Sequence, residues 1–190
     1  MKKVLIISGH PKLKESNANR IILEEIVNVD SNIEIRKLDE LYSNDYIINI
    51  DEEQAALLAA DIIVFQFPFY WYSVPAILKK YIDDVLCYGF AYGPEGDKLN
   101  GKEFLLSFTI GGPKDAYNPR GYNHFSIGKL LYPLEQASNL CGMSYNEPLF
   151  SYSMVYIPNV YNTLEEVEER AQSHTFKLLK RLNEIRNKNS

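Results

Sequence analysis

Two stretches of the chain are apolar without interruption at strand length, Val4-Leu5-Ile6-Ile7 and Ile62-Ile63-Val64-Phe65. A strand with one wet face alternates apolar and polar positions; a strand covered on both faces has no need to. Residues 3–8 and 61–67 are therefore predicted as strands buried on both sides. Residues 33–38 (IEIRKL) do alternate, as a strand nearer a sheet edge would, and 102–110 and 149–155 are two further predicted strands. Between them the apolar period turns helical. Ile21, Ile22 and Ile26 fall on one face of 16–29, Pro75 suits the first turn of a helix over 75–86, and another helix is predicted near 127–140. Leu164, Val167, Ala171, Leu178, Leu182 and Ile185 stripe a long final helix, opened by a capping box of Thr163 and Glu166. Asp51 and Gln54 read as a second capping box, for a short helix ending near Ala60. Five strands alternating with helices predict an α/β fold, a five-stranded parallel sheet of order 2-1-3-4-5 with helices on both faces, in one domain over residues 1–190.

That order locates a site before any motif is considered. Ligands of open parallel sheets bind beyond the carboxyl ends of the strands, where the strand order reverses, here between the first and third strands. Three loops emerge there: 9–16, 68–74 and 111–124. The first, SGHPKLKESNANR, runs into a helix, and Ser16, Asn17 and Asn19 bring polar side chains to a helix N-terminus suited to a phosphate. Plain capping by Ser16 explains the same residues. It is neither a G-x-G-x-x-G nor a P-loop sequence, which removes support from nicotinamide-binding Rossmann and P-loop folds. The second loop is Pro68-Phe69-Tyr70-Trp71-Tyr72, an aromatic wall where turns usually carry small polar residues. The third begins Thr109-Ile110-Gly111-Gly112, whose glycine amides can approach a ligand closely or simply make a tight turn. Phosphate, aromatic faces and amide donors together describe a flat phosphorylated ring system, and a flavin mononucleotide fits.

Composition narrows the picture without changing it. The 190 residues carry 20 Lys and Arg against 25 Asp and Glu, a formal charge of -5, and no basic block precedes the last helix, so a nucleic-acid surface is not expected. No apolar run reaches the roughly 18 residues that span a bilayer. The five-residue apolar run at the start is too short for a secretion signal, and a cytoplasmic protein is expected. Cys87 and Cys141 have no metal-ligand spacing and read as reduced thiols, and no metal is expected. The 14 Tyr, 9 Phe and single Trp are the anomaly, and they gather around the loops.

The segments HPKLKESNAN, QFPFYWYSVPAILKKYIDDVL, GFAYG, LNGK and TIGG occur in an order and spacing that resemble the flavodoxin-like NAD(P)H:quinone oxidoreductases. The similarity is greatest to the bacterial branch, which includes general-stress quinone reductases and ancillary proteins of glutathione-regulated potassium-efflux systems. It runs from Val4 to about Leu182. The resemblance implies that His10 and Ser16, Asn17, Ala18 and Asn19 hold the flavin phosphate and ribityl chain. It implies that Pro68 to Tyr72 and Thr109 to Gly112 surround the isoalloxazine. Tyr117 matches the family's tyrosine beside the flavin N5. The histidine that partners it in the animal enzymes lies six residues on; here that position is Asn123, with His124 next to it as the second candidate. The short acidic connection after the second strand favours FMN over FAD, the alternative. NAD(P)H is the implied reductant and a quinone the implied acceptor. A homodimer is implied as well, with the 88–101 loop as a lid or partner contribution. A regulatory subunit docked on a membrane potassium-efflux antiporter, and a one-electron carrier, are the rival functions.

Overall fold

The computed structural model describes residues 2–30, 32–43 and 47–188. Its sheet has the order β2-β1-β3-β4-β5, with β6 also paired to β4, and every pairing is parallel. The strands are β1 Val4–Ser8, β2 Ile33–Lys37, β3 Ile62–Pro68, β4 Glu103–Thr109, β5 Ser144–Tyr145 and β6 Leu149–Ser151. The helices are α1 Asn19–Val29, α2 Leu38–Leu41, α3 Ile50–Ala59, α4 Ala76–Val85, α5 Ile127–Leu130, α6 Tyr132–Leu140 and α7 Leu164–Asn187.

The uninterrupted apolar runs feed two separate cores, because successive strand side chains point to opposite faces. Val4, Ile6, Ile62, Val64 and Leu105 pack with α1 and α7 on one face. Leu5, Ile7, Ile63, Phe65, Phe67, Leu106 and Phe108 pack with α3 and α4 on the other. β1 and β3 are buried at every position, whereas β2, with a neighbour on one side only, is buried only at Ile33. The α7 capping box forms as expected: Thr163 Oγ1 accepts from the Glu166 N–H at 3.1 Å, and Glu166 Oε2 accepts from the Thr163 N–H at 2.7 Å.

Three details differ from expectation. The expected fifth strand is broken. β5 and β6 share the free edge of β4, pairing with Glu103–Phe104 and with Ser107–Thr109 respectively. Between them Asn146 turns its side-chain amide onto Glu103 Oε2 (2.8 Å) and two carbonyls, and Pro148 has no N–H to offer a ladder. Met154 and Val155, expected to end that strand, lie in the loop after it. The third helix is capped by Asn49, whose side chain accepts from the Glu52 N–H, in place of the box expected at Asp51 and Gln54. Gln54 instead donates to the Val85 carbonyl at 3.0 Å and so ties α3 to α4.

The acidic connection after β2 includes residues 44–46, which lie outside the described residues. Among its described acids Glu53 is fully enclosed, and it is paired with Arg36 (Nη2 to Oε1, 2.7 Å) and with the Tyr42 hydroxyl. The ion pair and the buried phenol satisfy a carboxylate that would otherwise be costly to bury. The 88–101 loop is not a free flap. Phe90, Ala91 and Leu99 are core residues, and the Lys98 N–H is held by the Phe90 carbonyl, while Tyr88 and Tyr92 stay on the surface as an edge-to-face pair.

Candidate active site

A cleft of about 450 Å³ opens at the carboxyl ends of β1, β3 and β4, within the size range of cofactor sites. Ten of the expected residues line it: His10, Ser16, Asn17, Ala18, Asn19, Pro68, Phe69, Tyr70, Thr109 and Gly111. Pro11, Lys12, Glu15, Met154, Val155 and Tyr156 complete the wall.

The floor is a buried polar network that joins three elements. Asn19, at the start of α1, donates to Thr109 Oγ1 on β4 (2.9 Å), and its side-chain oxygen accepts from Gln66 Nε2 on β3 (2.9 Å). Ser16 Oγ accepts from the Asn19 N–H at 2.9 Å, so the hydroxyl satisfies the first N–H of α1. The N–H groups of Asn17 and Ala18 have no partner among the described residues and remain available at the helix N-terminus. Below them Asp39 Oδ2 accepts from the Leu13 N–H at 2.6 Å and anchors the loop from beneath. His10 is almost fully buried, and its Nδ1 accepts from the Lys12 N–H at 3.0 Å. Burial lowers its pKa, against the opposing pull of Asp39 and Glu15, so the ring is neutral, with its proton on Nε2.

The aromatic loop divides its residues between two tasks. Phe69 is in the core, 5.2 Å from the Phe108 ring, and its N–H donates to the Thr109 carbonyl at 2.8 Å. Trp71 and Tyr72 occupy the centre of a two-residue turn closed by the Ser73 N–H on the Tyr70 carbonyl at 3.0 Å, with φ of 48° and 62°. Two consecutive left-handed residues are the pattern of a type I′ turn, for which Asn-Gly is the usual choice. Bulky aromatics here cost on the order of 1–3 kcal/mol each in backbone strain. Trp71 is nevertheless 93% exposed. No packing within the chain accounts for its side chain.

On the third loop, Ile110 is wholly buried and both of its backbone groups are taken, the N–H by Ser151 and the carbonyl by Met154. It sets the loop and turns no side chain outward. The Gly111 and Gly112 N–H groups have no partner among the described residues. Gly112 lies beneath the Tyr117 ring, which packs 5.7 Å from Tyr152. Burial, with the phenols of Tyr122, Tyr72 and Tyr152 nearby, raises the Tyr117 pKa, so its hydroxyl stays protonated and can donate. Asn123 Oδ1 accepts from the Tyr72 hydroxyl at 2.9 Å and so binds the aromatic loop to this one. His124 is exposed at φ 60° and its ring has no hydrogen bond among the described residues. Trp71, Tyr72, Gly112 and Tyr117 stand outside the cleft wall on the side of the glycine loop.

Sequence reasoning did not single out Gln66, Met154, Val155 or Tyr156. Gln66 is the polar residue in an otherwise apolar strand, two positions before its carboxyl end at the switch point, which was a legible signal. Met154 and Val155 were obscured by the expectation that the strand over 149–155 continued to its end, and Tyr156 follows directly after it.

The model of the flavodoxin-like fold family matches residues 2–175. The chain belongs to that family. General stress protein 14 of Bacillus subtilis is 43% identical over 154 residues, covering 81% of this chain and 87% of the relative. The glutathione-regulated potassium-efflux system ancillary protein KefG of Cronobacter sakazakii is 41% identical over 150 residues, 79% of this chain and 80% of that protein. Among solved structures, general stress protein 14 of Treponema denticola in complex with FMN superposes with a TM-score of 0.82 at 28% identity, over 93% of this chain and 97% of that one. An NADPH-quinone reductase from P. pentosaceus gives a TM-score of 0.75 at 28% identity, over 91% and 95%.

The family member's cleft fits FMN by its chemistry. Free amides at the N-terminus of α1 suit a phosphate. The hydroxyl and amide side chains of the floor suit a polyhydroxyl chain, and unpaired glycine amides beside aromatic rings suit the polar edge of a flat heterocycle.

Proposed function

We propose that the protein is an FMN-dependent NAD(P)H:quinone oxidoreductase, cytoplasmic and homodimeric, each chain acting as one domain with its own cleft. The observation that carries this reading is the cleft itself, with anion-binding amides at one end and free glycine amides, exposed aromatics and a donor phenol at the other. The FMN-bound relative and the NADPH-quinone reductase among the structural neighbours support it. FMN, when bound, supplies a carrier that accepts a hydride from NAD(P)H and passes two electrons to the acceptor. The chain's own residues do the rest. The free amides of Asn17 and Ala18 would hold the phosphate, the Asn19–Thr109–Gln66 network fixes the floor, and Phe69 and Tyr70 wall one side. Tyr117, protonated, donates to an acceptor oxygen. Flat donor and acceptor use the same stacking surface in turn, which makes the kinetics ping-pong.

The exposed Trp71, with Val155 on the cleft wall and the exposed Ile157 and Val160 following it in the chain, supports a subunit contact. No helix among the described residues is long and apolar enough to cross a membrane. A second reading draws on the 41% identity to the efflux ancillary protein: the same flavoprotein docks on a membrane potassium-efflux antiporter and regulates it. The two roles are compatible. Initial velocities measured over a grid of NADPH and p-benzoquinone concentrations test the enzymatic reading. Parallel double-reciprocal lines are expected; intersecting lines, or no turnover with FMN bound, contradict it.

A further inference from the structure

Two phenol hydroxyls converge on Gly112. A side-chain carbon built on that glycine would meet the Tyr122 hydroxyl at 3.3 Å and the Tyr117 hydroxyl at 3.6 Å. The two oxygens therefore lie at most about 7 Å apart, and both hydroxyls face the same small space beside the glycine. The convergence is built into the loop. Asn118 Oδ1 accepts from the Arg120 and Gly121 N–H groups at 2.8 and 3.1 Å, and the Asn123 N–H returns to the Ala116 carbonyl at 3.1 Å. Gly121 permits that closure, since a Cβ there would come within 2.4 Å of the Ala116 carbonyl oxygen. The turn sends Tyr122 back over Gly112 and leaves His124 outside.

We infer that Tyr122 is the second hydroxyl donor to the acceptor, paired with Tyr117, in the role that the sequence offers to His124. The inference rests on the quinone-reductase reading and names which residues of that site handle the proton. Reducing a quinone to a hydroquinone takes two electrons and two protons. A hydride equivalent from the reduced cofactor brings both electrons and one proton, and the O–H bond of a neighbouring phenol breaks to supply the other. The phenolate left behind is reprotonated from water. Tyr122 is 67% exposed and meets solvent directly, whereas Tyr117 is packed against Tyr152. The pair is thus arranged as an inner donor and an outer one in contact with water.

The test uses FMN-loaded protein and separates the two half-reactions in an anaerobic stopped-flow instrument. For Tyr122→Phe, reduction by NADPH is expected at the wild-type rate, while reoxidation by p-benzoquinone slows about 10-fold, less than the roughly 100-fold or more of a sole proton donor because Tyr117 remains. Hydroquinone binding to the oxidised protein, read by flavin fluorescence, is expected to weaken about 5-fold, the size of one lost hydrogen bond. Tyr132→Phe, on the distant α6, is the control for the loss of a surface phenol. Phe at the exposed position 122 removes only an oxygen, and an unchanged melting temperature verifies the fold. Wild-type reoxidation and hydroquinone affinity in Tyr122→Phe overturn the inference, as does a slowing that falls on His124→Gln instead. Wild-type protein whose flavin NADPH does not reduce overturns the reductase reading itself, and that result is visible before any variant is made.

Discussion

Trp71 and Tyr72 carry a conflict between backbone and side chain that packing within the chain does not resolve. Their left-handed backbone favours Asn-Gly, yet the chain spends two large aromatics there, one of them almost wholly in solvent. Replacing both, Trp71→Asn with Tyr72→Gly, is expected to stabilise the protein by about 1–3 kcal/mol in urea unfolding, since the strain relieved at two positions is partly offset by the entropy of the new glycine and the lost Tyr72–Asn123 hydrogen bond. The same variant is expected to lose most of its quinone turnover; a variant neither more stable nor less active contradicts the assignment. His174 is the opposite case, a residue with no legible signal. It sits on the apolar stripe of α7, and the sequence assigns it nothing. The structure buries it completely between Ser107 Oγ (2.8 Å) and Ser151 Oγ (2.9 Å), where a neutral ring with one N–H and one lone pair satisfies both hydroxyls. Burial, with Lys177 adding to it, lowers its pKa to about 3. Between that value and the unfolded one near 6.5 the unfolded chain binds the extra proton, so stability falls as the pH drops, by up to about 1.4 kcal/mol per unit. Urea unfolding at pH 7 and pH 5 is expected to differ by about 2 kcal/mol from this group, and the difference is expected to shrink in His174→Gln.

At the scale of elements, the site is made by strand ends meeting a helix start. Asn19 bridges β3, α1 and β4 through Gln66 and Thr109, so one amide sets the spacing of the cleft floor. Asn19→Ala leaves those buried partners unsatisfied and is expected to cost about 1–3 kcal/mol, read as a lower melting temperature, together with weaker FMN binding in a fluorescence titration. Binding that stays at wild-type strength contradicts the role given to the network. The elements themselves were mostly readable. Continuous apolar runs gave β1 and β3, period gave α1 and α7, Pro75 marked α4, and Thr163 with Glu166 gave the start of α7; the four-residue α2 was not read, and α5 and α6 were expected as one helix. The miss at α3 has a plain cause: in Asn49-Ile50-Asp51-Glu52 two residues are competent caps, and sequence alone does not choose between them. The broken fifth strand follows from Asn146 bonding carbonyls with its side chain, a tertiary choice that leaves no periodic trace.

Over the whole molecule, strand order determined the site more firmly than any motif. The 2-1-3-4-5 order predicts that loops 9–16, 68–74 and 111–124 meet, and they do, around one cleft. Its last wall, Met154 to Tyr156, comes from the loop after β6 and stayed hidden because the break in that strand was hidden. The central claim is that this cleft holds FMN and that NAD(P)H reduces it. The most direct measurement is an anaerobic titration of the FMN-reconstituted protein with NADPH, followed by its visible spectrum. The account predicts that the flavin band bleaches in one two-electron step, complete at one equivalent, and returns on addition of a quinone. A protein that takes up no FMN, or whose bound flavin keeps its oxidised spectrum through excess NADPH, contradicts it.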